Sequence, residues 1–450
     1  MTALCPFDLP FDIQEIILHE LHTPDLGRLS STCKGIRGAT DREEDIELQT
    51  ICIRWTLSPN APTGEVVTET QRLSPEAYET LAEVLEHALN LQEFEAVDAD
   101  LLFAGNSRIP KALIDLCPRL SSIKIMLFDT PLCIETLQQM RYLQEVNLYL
   151  CTRLSSAVTQ AFQAAPTVLK LSSPFSSQLS NDLYMPSVVD LQLLGPTLPA
   201  GRLARSFPNV RRLTLHQGFG TNSTEVLHLQ DHMPCWHNLD FLRGDAGSLR
   251  NGNVVCPTAC LEVVRHPRPF LPGHITTIRD DKLLHPIINA TSPMSLSFTT
   301  NIRPTGEFLR DLVSSTPRLR FLHMVLEPEE WKSSLGRASA DILNMLTSMP
   351  DALHSLPAVY LSIHIGIVVA LFQIHNKRFR DALALRFAQA LPSVRFLELG
   401  LRAVDNEEYP SHRWWYKLDD ASGGLRRAVP LLDGRAWRAY WSKQVLITRL

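Results

Sequence analysis

Two histidines four residues apart, His228 and His232, would share one face of a helix, the spacing at which a pair of imidazoles can hold zinc. A hydrolytic zinc helix carries a glutamate directly after its first histidine. Leu229 stands there instead, and the segment reads as loop running into strand. Gly218 and Gly220 flank a phenylalanine, but a phosphate cradle needs a longer glycine pattern and a lysine. The pairs Asp280-Asp281 and Asp419-Asp420 could in principle divide acid and base work, yet adjacent aspartates suit turns and surface better. No Gly-x-Ser-x-Gly elbow is present. Cys256 and Cys260 are the closest thiols, without a CxxC or a second ligand pair. The nine cysteines therefore read as free, mostly buried thiols of a reducing compartment. The sequence predicts no catalytic residue, no metal ligand and no cofactor.

What remains is a chain built to bind. It has 450 residues, with 43 Lys and Arg against 48 Asp and Glu, a net charge of −5. So even a balance excludes a protein whose main work is gripping nucleic-acid phosphates. Apolar residues make up 45% and charged residues 20%, enough for a packed core. There is no run of 18 apolar residues to span a membrane and no basic, then apolar, secretory start. A cytoplasmic or nuclear protein is expected, bound neither to membrane nor to nucleic acid.

One phrase recurs at intervals in the twenties: an apolar residue, two others, an apolar residue, one other, an apolar residue, often with a proline two residues ahead. Leu120, Ile123 and Ile125 follow Pro118 in this pattern. Leu143, Val146 and Leu148 form the next copy, and Val188, Leu191 and Leu193 follow Pro186. Further copies are Val210, Leu213 and Leu215; Trp236, Leu239 and Phe241; Leu319, Leu322 and Met324; and Val394, Leu397 and Leu399. Phe94 and Ala96 close a weaker early copy, and Pro166 to Leu171 a copy one residue short. The gaps from Trp236 to Leu319 and from Leu319 to Val394 each leave room for about three units. This is the leucine-rich-repeat signature. The last two apolar positions alternate, so they share one side of a short strand, and only stacking of units buries that side.

Between copies the chain should return by helices. Ser74 suits an N-cap and Pro75 a first helical turn, with Leu81, Val84, Leu85, Ala88 and Leu89 on one face. Phe379–Leu391 behaves similarly. Leu361, Ile363, Ile365 and Ile367 alternate as a strand that runs into Val368 to Phe372, too short to span a bilayer. Near the end, Trp415, Trp437 and Trp441 are expected to close the last repeat, in preference to stacking on nucleic acid.

The first forty residues differ. Ile13, Ile16, Ile17 and Leu21 have helical spacing after Leu9-Pro10, and Pro24-Asp25 opens a second helix with Leu26, Leu29 and Cys33 on its apolar face. So small a block has little core of its own and needs a partner, in the chain or outside it. This order of residues resembles an F-box. The whole chain resembles the fungal proteins that join an F-box to irregular leucine-rich repeats, with a Trp-rich ending to match. The resemblance implies an α/β solenoid, an irregular leucine-rich-repeat horseshoe, with a small all-α F-box-like module. It divides the chain into that module at 5–40, a linker and first strand region at 41–73, the repeats at 74–400 and a C-terminal cap at 401–450. It also implies a substrate receptor in a Skp–cullin–F-box ubiquitin ligase, with Leu9, Pro10, Ile13, Ile17, Leu26 and Leu29 facing the Skp-family adaptor. The other reading is a repeat scaffold unrelated to ubiquitination, with the helices merely capping the array.

Within each phrase the residues beside the fourth position point away from the core. They run Ser122 and Lys124, Glu145 and Asn147, Asp190 and Gln192, Arg212 and Thr214, Asn238 and Asp240, then Phe321 and His323, then Phe396 and Glu398. The last two pairs bring aromatics, so Phe321, His323, Phe396 and Glu398 are the expected contact patch for a substrate protein; the alternative is that both rings pack against a neighbouring loop.

Overall fold

The computed structural model describes residues 50–53, 75–97, 99–128, 131–150, 165–172, 183–195, 198–217, 236–264, 280–300, 304–326, 335–367, 376–403, 412–420 and 426–431, together with Ala436 and Arg438. The chain divides into two compact units, Met1–Pro196 and Thr197–Leu450.

The first unit carries strands β1 (Thr50–Ile53), β2 (Glu93–Val97), β3 (Ser122–Phe128), β4 (Glu145–Leu150), β5 (Val168–Ser172) and β6 (Asp190–Gly195). They pair in sequence order, each parallel to the next. Its helices are α1 (Pro75–His87), α2 (Ala99–Gly105), α3 (Arg108–Asp115) and α4 (Pro131–Gln139). The second unit holds α5 (Ala200–Ser206), β7 (Arg212–Gln217), β8 (Leu239–Asp245), α6 (Ala246–Asn251), β9 (Thr258–Val264), α7 (Asp280–Thr291) and β10 (Ser295–Thr300). It continues with α8 (Gly306–Ser315), β11 (Phe321–Leu326), α9 (Leu335–Ala352), β12 (Tyr360–Ile367), α10 (Lys377–Ala390) and β13 (Phe396–Ala403). Strands β7 to β13 are parallel in order. β14 (His412–Asp420) and β15 (Arg426–Leu431) then reverse direction and extend the sheet antiparallel.

The prolines of the phrase have a local job. Leu120 N–H donates to Cys117 C=O, Val210 to Phe207, Leu319 to Thr316 and Val394 to Leu391. Pro118, Pro208, Pro317 and Pro392 are thus the second residue of a tight turn, where a fixed φ is wanted and where a helix cannot continue. The chain then enters the strand through a recurring main-chain clamp. Gln92 C=O accepts both Ser121 N–H and Ser122 N–H, Ser121 C=O accepts Gln144 and Glu145, and Gln144 C=O accepts Thr167 and Val168. In the second unit Met294 C=O takes Arg320 and Phe321, Arg320 takes Val359 and Tyr360, and Val359 takes Arg395 and Phe396. One carbonyl per repeat holds the start of the next strand in register.

Behind the strands the apolar positions close. Phe94, Ile123, Ile125, Val146, Leu148, Leu213, Leu261, Leu322, Leu361 and Leu397 are all buried to within 1% of complete. Each contributes roughly 1.5–3 kcal/mol. In α1 the buried stripe is Tyr78, Ala82 and Leu85; Leu89, expected on it, is 53% exposed because the helix stops at His87. Side-chain caps fix other helices. Asp245 Oδ1 accepts Ser248 N–H at 2.9 Å ahead of α6, and Thr305 Oγ1 accepts Phe308 N–H at 3.1 Å ahead of α8.

Four sequence expectations need correction. First, the copy assigned to Trp236, Leu239 and Phe241 is shifted. Arg211 C=O clamps Asp240 and Phe241, so Leu239, Leu242 and Gly244 hold the three core positions. A strand has period two, so the shift turns Phe241 and Arg243 to the open face in place of Asn238 and Asp240. Trp236 instead buries its ring and donates Nε1–H to Phe207 C=O at 2.8 Å. Second, Leu319 and Val394 are separated by two repeats, with only β12 between, because the 18-residue α9 lengthens one of them. Third, Tyr416 and Leu418 seal the core end on β14, while Trp415 aligns with Glu398 on the opposite face. Trp437 and Trp441 lie outside the described residues, as do Val368 to Phe372. Fourth, Phe321 and Phe396 are not an exposed patch.

Candidate functional site

The face of each sheet turned away from the buried core is where a repeat protein can present side chains. In the first unit it is polar and half exposed. Lys124 Nζ pairs with Glu95 Oε1 at 2.9 Å across β2 and β3, and Lys170 Nζ with Glu145 Oε1 at 2.6 Å across β4 and β5. Such pairs contribute little to stability, about 0–1 kcal/mol each, and leave the surface open to recognition. On β7 to β9 the Arg212 guanidinium lies 5.3 Å from the centre of the Phe241 ring, and Arg243 Nε lies 3.8 Å from Glu262 Oε1.

From β10 to β13 the same face is closed. Register sets three rows across it. Ser295, Phe321, Tyr360 and Phe396 form one; Ser297, His323, Ser362 and Glu398 the next; Thr299, Val325, His364 and Gly400 the third. The aromatic row stacks. Phe321 and Tyr360 have centroids 4.9 Å apart and Tyr360 and Phe396 6.3 Å apart, with Met294 and Leu431 packed on them. Phe321 is 6% exposed and Phe396 7%. Their position on the open face follows the phrase; their burial comes from Tyr360 between them and Leu431 of β15 beside them.

The polar rows converge on one carboxylate. Glu398 is fully buried. Its Oε2 accepts the Tyr360 hydroxyl at 2.9 Å. Its Oε1 accepts from His364 Nε2 at 2.8 Å and from Arg438 Nη1 at 3.2 Å. His323 packs edge-on against the His364 ring, centroids 4.7 Å apart, and its Nδ1 lies 2.9 Å from Ser362 Oγ. Gly400 makes the space: a Cβ there would stand 2.5 Å from His364 Cδ2. The glycine is needed for this close approach, not for any special φ.

Burial alone would push the Glu398 carboxyl up. The His364 hydrogen bond, the Arg438 charge and the Tyr360 hydroxyl outweigh it and hold the group down at about 2. His323 goes the other way. Burial, then the neighbouring His364 and Arg438, lower it to about 3. Desolvation and the Glu398 charge raise the Tyr360 hydroxyl far above its ordinary value. The cluster is thus a fixed anion dressed with donors. Tyr360 and His323 both hold their neutral forms at neutral pH, which suits recognition of a cation better than proton transfer.

The sequence supplied Glu398 and His323 as open-face residues and missed Tyr360, Ser362, His364 and Arg438. The strand signal at Leu361 to Ile367 contains Ser362 and His364 and directly follows Tyr360, and its alternation could have placed all three opposite the core. Arg438 stands 40 residues from Glu398 with no pattern linking them. Cys117, Cys133, Cys256 and Cys260 form no disulfide; the first three are buried and Cys260 is half buried. Burial raises Cys117 to about 11. Among the described residues no three His, Cys, Asp or Glu side chains are grouped as metal ligands, and no helix is long and apolar enough to cross a membrane. His228 and His232 lie outside the described residues.

Comparison with known proteins adds the amino-terminal end. Residues 6–45 match the F-box domain. The F-box thus spans Leu9, Pro10, Ile13, Ile17, Leu26 and Leu29, all of them outside the described residues, and ends shortly before β1. No curated protein matches the chain. Among solved structures it is similar to the leucine-rich repeat-containing protein LegL7 from Legionella pneumophila, at 13% identity and a TM-score of 0.37, over 75% of this chain and 90% of that one.

Proposed function

We propose that this protein is the substrate-recognition subunit of a Skp–cullin–F-box ubiquitin ligase. The F-box, about residues 5–40, docks a Skp-family adaptor through Leu9, Pro10, Ile13, Ile17, Leu26 and Leu29. Residues 41–73 link it to repeats at 74–400 that form a leucine-rich-repeat solenoid, and 401–450 finish the array. The repeats hold a substrate protein on their open face, and the chain supplies no catalytic group, cofactor or metal of its own. It acts in cytoplasm or nucleus on protein, not on nucleic acid or membrane.

The observation that carries this reading is the F-box match at 6–45 ahead of serially paired parallel strands. F-box domains bind Skp-type adaptors, and an open sheet face with half-exposed charged pairs suits protein recognition. The test is co-purification of the full chain with a Skp-family adaptor. The unaltered chain should capture it and I13D/I17D should not, while both keep the same circular dichroism spectrum. A full chain that captures no adaptor leaves only a repeat scaffold unrelated to ubiquitination.

A further inference from the structure

The Glu398 cluster has the composition of a guanidinium site. A buried carboxylate is costly unless its lone pairs are filled. Here Tyr360 and His364 fill part of them from within the sheet, and the remaining approach is taken by an arginine from beyond the last strand. Glu398 shows no exposed surface, whereas the Arg438 side chain is 29% exposed. The arginine therefore enters from solvent, and the floor beneath it is built without it. It meets Glu398 at 3.2 Å through a single Nη, while guanidinium and carboxylate reach their best geometry as a two-bond fork. An arginine delivered at a better angle has something to gain.

We propose that Glu398, Tyr360 and His364 form a recognition pocket for an arginine side chain of a partner protein, which Arg438 fills as an internal stand-in. The occupant is a guanidinium on a protein segment, because the buried anion already accepts from a hydroxyl and an imidazole and its remaining partner is the guanidinium of Arg438. Displacement of Arg438 opens the pocket, and an incoming arginine recovers the same hydrogen bonds. The inference rests on the receptor reading for the identity of the partner as a substrate, and on geometry alone for the pocket.

The test is fluorescence anisotropy of a labelled glycine-rich peptide with a single central arginine, against peptides with lysine or citrulline in its place. Full-length R438A should bind the arginine peptide at least tenfold more tightly than the unaltered chain, and the lysine and citrulline peptides at least tenfold more weakly than that. R438A/E398Q should lose the gain. R438K, which keeps the charge but not the planar guanidinium, gives a second measure if R438A does not fold: it should also exceed the unaltered chain. Equal binding by the unaltered and substituted chains, or a gain that survives E398Q, overturns the pocket. Loss of peptide binding with adaptor capture intact sinks this inference alone; loss of adaptor capture with peptide binding intact sinks the receptor reading alone.

Discussion

His364 Nε2 lies 2.8 Å from Glu398 Oε1 across neighbouring parallel strands, on the face of the sheet turned away from the apolar core. Neither residue is on the hydrophobic side of the sheet, and both are buried. The pair makes the far end of the array a second, polar core, with consequences for stability as well as recognition.

Glu398→Ala should be among the most damaging single changes in the second unit. It leaves the Tyr360 hydroxyl, the His364 ring and Arg438 without their common acceptor. Removing one partner of a buried ion pair costs about 3–5 kcal/mol. Six of the seven tryptophans lie in Thr197–Leu450, so urea unfolding followed by tryptophan fluorescence reads mainly this unit. A midpoint unchanged from the unaltered chain would show that the cluster holds nothing together.

His323 sets an acid limit. An ordinary imidazole takes up its proton near 6.5, and the unfolded chain does so there. The folded chain holds His323 neutral down to about 3. Between these values the unfolded state binds the extra proton, so stability falls as pH falls, by up to about 1.4 kcal/mol per pH unit. Glu398 adds to the loss lower down, as pH drops from the ordinary carboxylate range toward about 2. In His323→Asn the fall between pH 6.5 and 4.5 should shrink, since an amide replaces Nδ1 beside Ser362 without titrating. Unfolding midpoints measured across that range decide it; parallel curves for both chains would refute the assignment.

Gly400→Ala tests the space given to His364. The added methyl would collide with the imidazole from the next strand. Overpacking of this kind costs about 1–3 kcal/mol, whereas glycine to alanine at a roomy site stabilises. A raised melting temperature would mean that the His364 ring has room to move aside.

The register of β8 separates two neighbours. Leu242→Ala should cost about 2–5 kcal/mol, because it opens a cavity in the core. Phe241→Ala removes an exposed-face ring and its Arg212 contact, worth about 0.5–1 kcal/mol for the cation–π part. Paired unfolding curves rank them, and the reverse order would restore the register first read from the sequence.

Much of this fold was legible because two signals coincide at β3, β6, β7, β11 and β13: a proline at the turn and three apolar positions after it. Where the first position is Thr258, Pro293 or Ala358, the core still closes but the phrase loses its opening word, so β9, β10 and β12 lacked a matching copy. Gly244 at a third position hid the true frame of β8. The polar cluster was harder still. Its members lie 34 to 40 residues apart, so only stacking at a known register brings them together. A charged residue on an outward position looks the same in sequence whether solvent or a neighbouring strand awaits it.

The clamp in which Gln92, Ser121, Gln144, Met294, Arg320 and Val359 each receive two amide protons uses no side chain at all. Strand register and surface chemistry are therefore stored in different atoms. Where the outward side chains are half exposed, substitutions can rewrite the chemistry of that face while the architecture carries on unaltered. Among the described residues the Glu398 neighbourhood is an exception, where an outward side chain is also part of the frame.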